Sequence, residues 1–404
     1  MTTPPDTYRI LTINSGSSSV KVSLYKIGET ENLVLSGSLK RIGLRASIFQ
    51  IKDANGRPLM DDHNDLPDHE TALKKLFTWL EEHEPGRNLD AVGHRVVHGG
   101  PRYKKPQRIT SALVTELKEL IQLAPDHLPH EIKAIQATSR SYPDLIQVAC
   151  FDTAFHRRMP DLAQIYALPS HYQHEGLVRY GFHGLSYEYI LQELRKEAGE
   201  EIANGRLIIA HLGNGASMAA VKHGKSVDTT MGFTPAGGLV MSTRSGDLDP
   251  GVLLYLMEEK GMRSTSLNEL VNQHAGLLGV SGISSDMKDL LDKEEGEAHA
   301  RQAIDLFCYQ ASKYLGALAA TLGGLDTLIF TAGIGENSPA VRQRICQNLS
   351  FLGIHLDAQR NAANEAIISR KEGPVTVRVM RTDEDLMIAR HTYTLIRDKQ
   401  NVPM

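Results

Sequence analysis

Cysteine is scarce. Cys150, Cys308 and Cys346 lie far apart and make no CxxC pair, which suits a reducing compartment rather than a disulfide framework. They read as small buried hydrophobes. No apolar run approaches the ~18 residues of a membrane span, and the polar, Pro-containing start at residues 1–6 does not resemble a signal peptide. A cytoplasmic protein with no membrane partner is therefore expected. Positive charge is not in surplus either: a net charge of −4 and a pI near 6.5 leave no polybasic footprint. That excludes nucleic acid as the expected partner, and any phosphate must be met by a local cluster of cations. Low-complexity stretches are missing, and the Glu/Lys-rich run 292–297 reads as a solvated turn. Also missing are a GxxxxGK[ST] string and a G-x-G-x-x-G turn opening a helix, the two commoner nucleotide motifs.

The chain has 404 residues, 41% of them hydrophobic, enough for two cores, since one core seldom grows past ~250–300 residues. Apolar patterning predicts strands at 9–14, 20–25, 33–39, 91–97 and 147–151, with helices near 70–82 and 131–142. After Thr153 the pattern restarts. A helix is expected over 186–198, strands over 206–212 and 218–221, helices over 250–260, 267–273 and 298–322, and a buried strand over 325–331. Ser338-Pro339 opens another helix, with Ser as N-cap and Pro in the first turn. Leu386, Ile388, Ala389, Tyr393 and Ile396 recur at helical spacing and predict a C-terminal helix that returns to the first half. The expected organisation is an α/β chain of two domains, residues 1–153 plus 385–404 and residues 154–384.

Two short turns about half a chain apart stand in matching contexts. Asn14-Ser15-Gly16-Ser17-Ser18-Ser19 and His211-Leu212-Gly213-Asn214-Gly215 each join two strand-like runs. One such turn alone is an ordinary hairpin. Two of them point to a duplicated phosphate clamp, in which small residues let backbone N–H groups approach a phosphate while Ser17, Ser19 and Lys21 add donors.

Other constellations supply charge. Gly93-His94-Arg95-Val96-Val97-His98-Gly99-Gly100 delivers a guanidinium to a strand end, where open α/β sheets place ligands. His94 and His98, spaced i and i+4, raise a zinc site as an alternative, though no HExxH or Cys partner accompanies them. Asp152 follows an apolar strand at the expected domain junction. Tyr180-Gly181-Phe182-His183-Gly184 brackets an imidazole with glycines, and a structural histidine is the competing reading there. The Gly/Ser/Thr-dense connection 228–250 contains Arg244, a second candidate cation.

Taken in order, these strings closely resemble the acetate kinases, of the acetate and sugar kinase/heat-shock-protein/actin superfamily, from Asn14 to Glu384. The resemblance implies two duplicated actin-like domains with a nucleotide cleft between them, forming a homodimer. It implies reversible transfer of a phosphoryl group from ATP to acetate with Mg²⁺, or Mn²⁺ in its place. Asn14 and Glu384 would hold the metal, and Lys21 would contact phosphate. Arg95 and Arg244 would flank the acyl carboxylate and the phosphoryl group, His183 would stabilise the transition state, and Asp152 would be the essential carboxylate. Residues 211–215, Asp286-Met287-Lys288 and Gly333-Ile334-Gly335-Glu336-Asn337 would cradle the nucleotide. Val97, Phe182 and Pro235 would wall the acyl methyl.

The chemistry agrees independently. A carboxylic acid with a pKa of ~4–5 is ionised at neutral pH, so the nucleophile needs no general base. The obstacle is repulsion between two anions, and phosphoryl transfer asks mainly for cations and alignment. Asp152 is then expected to orient Arg95 or the metal rather than take a proton. Family relatives often carry Arg at Lys288 and Leu at Asp126. Lys288 loses the planar fork, and Asp126 is expected to turn away from the pocket or pair with a neighbouring cation. Gly237, Gly238 and Ser242 also depart from the family pattern, with no derivable consequence. Val97 is larger than the Ala of propionate-preferring relatives and favours acetate. The rivals are a propionate or other short-chain acyl kinase and, from another class, a regulatory ATPase of the superfamily.

Overall fold

The glycine turns sit where antiparallel strands reverse, and everything around them follows from that. In this computed structural model, which describes residues 7–83 and 88–400, the chain forms two units, residues 1–154 with 383–404 and residues 155–382.

The first unit contains β1 (Tyr8–Ser15), β2 (Ser19–Ile27), β3 (Glu31–Lys40), β4 (Ile48–Asp53), β5 (Pro58–Asp62), β6 (Ala91–Val96), β7 (Gln107–Arg108) and β8 (Ile146–Phe151). They form one sheet in the order β5-β4-β3-β2-β1-β6-β8-β7. Side chains alternate across it. Leu11, Ile13, Val22 and Leu24 face α1 (His69–His83) and α2 (Leu128–Ser141), which contribute Leu73, Leu76, Phe77 and Ala134 to that core. Ile10, Tyr25 and Ala91 face the C-terminal helix (Glu384–Gln400) through Ala389 and Ile396. Each large side chain so buried contributes about 1.5–3 kcal/mol. Both faces of the central strands are thus covered by helices.

The second unit contains α3 (Gly184–Ala198), β9 (Arg206–Leu212), β10 (Ala216–Lys222), β11 (Lys225–Thr229), α4 (Met287–Lys293), α5 (Ala298–Leu322), β12 (Thr327–Thr331), α6 (Ala332–Asn337), α7 (Pro339–Cys346) and β13 (Thr376–Val379). Its sheet order is β11-β10-β9-β12-β13. Tyr187, Ile190 and Leu194 of α3 pack on Leu207, Ile209, Val221 and Ile329.

The five central strands of the first sheet repeat the second. In β3-β2-β1-β6-β8 the first two neighbour pairs are antiparallel and the last two parallel. β11-β10-β9-β12-β13 has the same sequence of directions. This duplicated α/β module is consistent with the actin-like fold that the sequence resemblance implies.

Several elements differ from expectation. β4 and β5, the edge hairpin, lie outside the predicted strands. β11 takes in Asp228 and Thr229, which sequence patterning assigns to a loop. The string Gly333–Asn337, given no element from sequence, forms a short helix with Ala332, closed at both ends by side chains. Glu336 Oε1 accepts from Ala332 N–H at 2.8 Å, and the Gly335 and Glu336 carbonyls accept from buried Arg342 at 2.8 and 3.0 Å. Ser338 occupies the N-cap of α7 with Pro339 behind it, but its side chain makes no capping bond. Among the described residues no helix is long and apolar enough to cross a membrane.

Candidate active site

In the first unit, β6 and β8 run side by side and bring Arg95 opposite Cys150, two residues before Asp152. Asp152 is buried, and its N–H is tied to the Val96 carbonyl at 3.0 Å. Its two carboxylate oxygens accept from Arg95 Nε at 3.0 and 3.1 Å and from Nη2 at 2.6 Å, a forked charge-assisted pair. The far side of the same guanidinium reaches Asn14 Oδ1 at 3.4 Å and Glu384 Oε2 at 3.5 Å. Glu384 belongs to this unit, because the helix it opens packs on the first sheet, so the division falls two residues earlier than the expected one after Glu384. Burial pulls the Arg95 guanidinium down, but the charges of Asp152 and Glu384 outweigh it and hold the group above its ordinary range.

The oxygens of Asn14, Asp152 and Glu384 therefore gather around one cation. All are hard donors, and Mg²⁺ binds through one or two carboxylates while keeping water and phosphate oxygens. Among the described residues no three acidic, His or Cys side chains assemble into a self-sufficient metal cage. The donor chemistry of Asn14, Asp152 and Glu384 fits a hard cation such as Mg²⁺.

The hairpin turn at residues 16–18 closes with Gly16 N–H on the Ser19 carbonyl at 2.8 Å. Ser17 and Lys21 stand exposed and Ser19 half-buried, and Lys21 lies opposite Asn14 in the ladder. Val97 is buried, and its N–H donates to both carboxylate oxygens of Glu131, at 3.2 and 3.1 Å. Sequence reasoning missed Glu131 as part of this cluster, since a Glu in the first turn of α2 reads as a simple dipole partner. Burial is the main cause that pushes its carboxyl up to about 8, against the opposing pull of Val97 N–H and Arg95. Asp126 is half-buried just before α2, and its charge acts on His130. The histidines of the zinc alternative are occupied separately. His94 Nε2 meets Gln147 Oε1 at 2.9 Å, and His98 Nδ1 accepts from Gly100 N–H at 2.9 Å.

In the second unit the turn Gly213-Asn214-Gly215 closes with Gly213 N–H on the Gly215 carbonyl at 3.1 Å, the counterpart of the first turn. A Cβ on Gly213 would stand 3.6 Å from Ala332 Cβ and 4.0 Å from Gly333 N, so this turn and the start of α6 adjoin. Ala332 is held at φ 65°, a left-handed conformation that costs a non-glycine residue about 1–2 kcal/mol. The connection carrying Arg244 docks on the same turn through Ser242, whose Oγ and N–H reach Asn214 Oδ1 and its carbonyl at 3.3 and 3.1 Å. Arg244 Nη1 donates to the Pro235 carbonyl at 3.3 Å.

His183 stands at the N-terminus of α3 with φ 59°. The segment before it is fixed by buried His156, whose ring bridges Ser226 Oγ at 2.8 Å and the Phe182 carbonyl at 3.0 Å. Gly181 is required there. At φ 71°, a Cβ would fall 2.6 Å from the His156 ring and 2.7 Å from Thr229. His211 stacks on His183 with ring centres 4.2 Å apart, and its Nδ1 meets Ser186 Oγ at 2.8 Å.

The nucleotide residues expected from sequence divide by what they can offer. Leu212 and Met287 are buried and leave only backbone for a ligand. Asp286 spends Oδ1 on the N–H groups of Lys288 and Asp289, at 2.8 and 3.1 Å, which caps α4 and leaves Lys288 exposed. Gly333 and Asn337 are exposed, Ile334 is half-buried and Gly335 is buried. Glu336 is turned toward Ala332, Thr331 and the Thr382 N–H. Of the expected methyl walls, Val97 belongs to the first unit, and Phe182, buried, and Pro235 to the second.

A duplicated actin-type module, glycine hairpins at matching places, an arginine at a strand end, and a second arginine and an imidazole beside the second hairpin define a phosphotransferase whose acceptor is a carboxyl group. The chain belongs to the Acetokinase family, which it matches over residues 9–390. It is 45% identical over 394 residues to the acetate kinase of Rhodopseudomonas palustris strain TIE-1, covering 96% of this chain and 98% of that one. The crystal structure of Porphyromonas gingivalis acetate kinase is similar with a TM-score of 0.87 at 39% identity, over 96% of this chain and 100% of that one. A propionate kinase from Francisella tularensis superimposes with a TM-score of 0.90 at 35% identity, over 96% and 99% of the two chains.

Proposed function

We propose that the chain transfers the terminal phosphoryl group of ATP to acetate, giving acetyl phosphate and ADP, and catalyses the reverse. The observation that carries this reading is the Arg95–Asp152 pair. A guanidinium fixed by three contacts to a buried carboxylate is a preorganised cation, and a superfamily ATPase without a carboxylate substrate has no use for it at that strand end. In this reading Arg95 neutralises the incoming carboxylate, and Asp152 holds Arg95 rather than accepting a proton. Asn14 and Glu384 would hold Mg²⁺, which would supply charge neutralisation to the phosphate oxygens when bound. Lys21, Ser17 and Ser19 offer donors from the first turn. In the second unit the Gly213 turn, Lys288 and α6 hold the nucleotide, and Arg244 and His183 stabilise the phosphoryl group in transit.

The enzyme works in the cytoplasm as a homodimer. Support for a second copy comes from the helix 250–258, where Val252, Leu254, Tyr255 and Met257 are 44%, 55%, 52% and 41% exposed, apolar surface that a monomer would leave wet. Propionate is a poorer substrate, because one methylene is worth only about 1–3 kcal/mol of discrimination. Trapping acyl phosphate with hydroxylamine across acetate, propionate and butyrate tests the assignment. ATP- and acid-dependent hydroxamate, greatest with acetate, is expected. ATP hydrolysis without acid dependence would overturn it, and a maximum at propionate would move the assignment to the longer acid.

A further inference from the structure

Behind His183, on the side away from the glycine turn, lie Tyr187 of α3 and Ser217 of β10. Ser217 Oγ is 2.9 Å from His183 Nδ1 and 2.5 Å from the Tyr187 hydroxyl. All three side chains are buried, Ser217 and Tyr187 fully. Ser217 has one proton for two neighbours. A phenol is far more acidic than an aliphatic alcohol, so across a contact this short Tyr187 donates and Ser217 accepts. The Ser217 proton is then left for His183 Nδ1. That proton has His183 Nδ1 within reach at 2.9 Å. With Nδ1 accepting, the neutral imidazole carries its own proton on Nε2.

The position of Nε2 gives this consequence. A Cβ on Gly215 would stand 3.2 Å from His183 Nε2 and 3.6 Å from Arg244 Nη1. The two nitrogens thus stand on the same side of the turn, and the absent side chain leaves that side open to a ligand. An anionic phosphoryl oxygen approaching there would meet an imidazole and a guanidinium together.

From this geometry we propose that Tyr187 and Ser217 are positioning residues that set the Nε2–H tautomer of His183, so that a neutral imidazole and Arg244 present paired donors to one phosphoryl oxygen. The inference rests on the role given to His183 above and deepens it. No group is transferred along the relay; its hydroxyls fix a proton rather than move one.

The decisive measurement needs no substrate. In wild-type protein labelled with ¹⁵N-histidine, long-range proton–nitrogen correlation spectra report which ring nitrogen is protonated, and the His183→Asn variant identifies the signals. A protonated Nε2 and an unprotonated Nδ1 at neutral pH are expected. The Nδ1–H tautomer, or a doubly protonated ring, would overturn the proposal whether or not the Ser217 and Tyr187 variants fold. In kinetics, Ser217→Ala is expected to lower kcat about 10- to 100-fold while the KM values for ATP and acid stay within about twofold, and Tyr187→Phe to lower the same parameter less. An unchanged kcat in Ser217→Ala, or a loss confined to KM, would count against it. Wild-type protein that forms no acyl phosphate would sink the functional reading, whereas a wrong tautomer sinks this inference alone.

Discussion

Replacing Asp152 by Asn removes one charge and almost no volume, which makes it a clean perturbation of the Arg95 cluster. Asp152 supplies all three of the guanidinium contacts within 3.1 Å, whereas Glu384 stands at 3.5 Å and Asn14 at 3.4 Å. The amide keeps one acceptor oxygen and turns an N–H₂ toward a cation, so the fork is lost and Arg95 swings toward Glu384. Removing one partner of a buried pair costs about 3–5 kcal/mol. Glu384 remains within reach and Arg95 is 19% exposed, so about 1–3 kcal/mol of stability should be lost. Losing one preorganised donor costs about 10²–10³ in kcat. Because Arg95 would also draw Glu384 from the metal, the half-saturating Mg²⁺ concentration should rise. Steady-state hydroxamate formation over a Mg²⁺ series, with thermal unfolding alongside, measures all three quantities. Near-normal turnover with unchanged Mg²⁺ dependence would refute the assignment, and so would a flat loss of kcat that a pH increase restores, since that is the mark of a proton acceptor.

Other consequences are shorter to state. Glu131 titrates near 8 in the folded protein and near 4.5 when unfolded, so between those values the native state binds the extra proton and stability declines as pH rises. Glu131→Gln should flatten that slope in melting temperature from pH 5 to pH 8, and an unchanged slope would contradict it. Burial brings His94 and His156 down to about 4, so their contribution has the opposite sign, with stability lost as pH falls below about 6.5. Val97→Ala should raise the ratio of propionate to acetate turnover several-fold, within the ~1–3 kcal/mol that a methylene is worth, and an unmoved ratio would remove Val97 from the acyl wall. Gly181→Ala should destabilise the protein by about 1–3 kcal/mol and lower kcat, because a methyl would meet the His156 ring at 2.6 Å; unchanged melting would mean that this ring moves freely.

What could be read from the sequence was whatever depends on neighbours in the chain. The strands flanking both glycine turns and the helix 298–322 follow from period and turn chemistry, as do the strand-end places of Arg95 and Asp152, whose roles come from the family resemblance. What escaped depends on partners distant in sequence. The helix 332–337 contains two glycines and has no local reason to form; Glu336 and Arg342 close its ends. Glu131 joins Val97 across 34 residues, and Ser217 joins Tyr187 across 30. The strand 48–53 is short and half-buried, held between β3 and β5. Asp286 and Glu336 fall within nucleotide-like strings, yet the structure shows their carboxylates serving their own helices.

The account stands on fixed cations that offset the repulsion between a carboxylate and a phosphoryl group at the moment of transfer. Calorimetric titration of MgADP, acetate and aluminium fluoride, a planar mimic of the phosphoryl in flight, tests this most directly. Wild-type protein should bind the three together at least ~10²-fold more tightly than MgADP alone. Arg95→Gln, Arg244→Gln and His183→Asn should each lose that gain while keeping their affinity for MgADP. If the variants bind the mimic as tightly as wild type, those side chains do not stabilise the transition state.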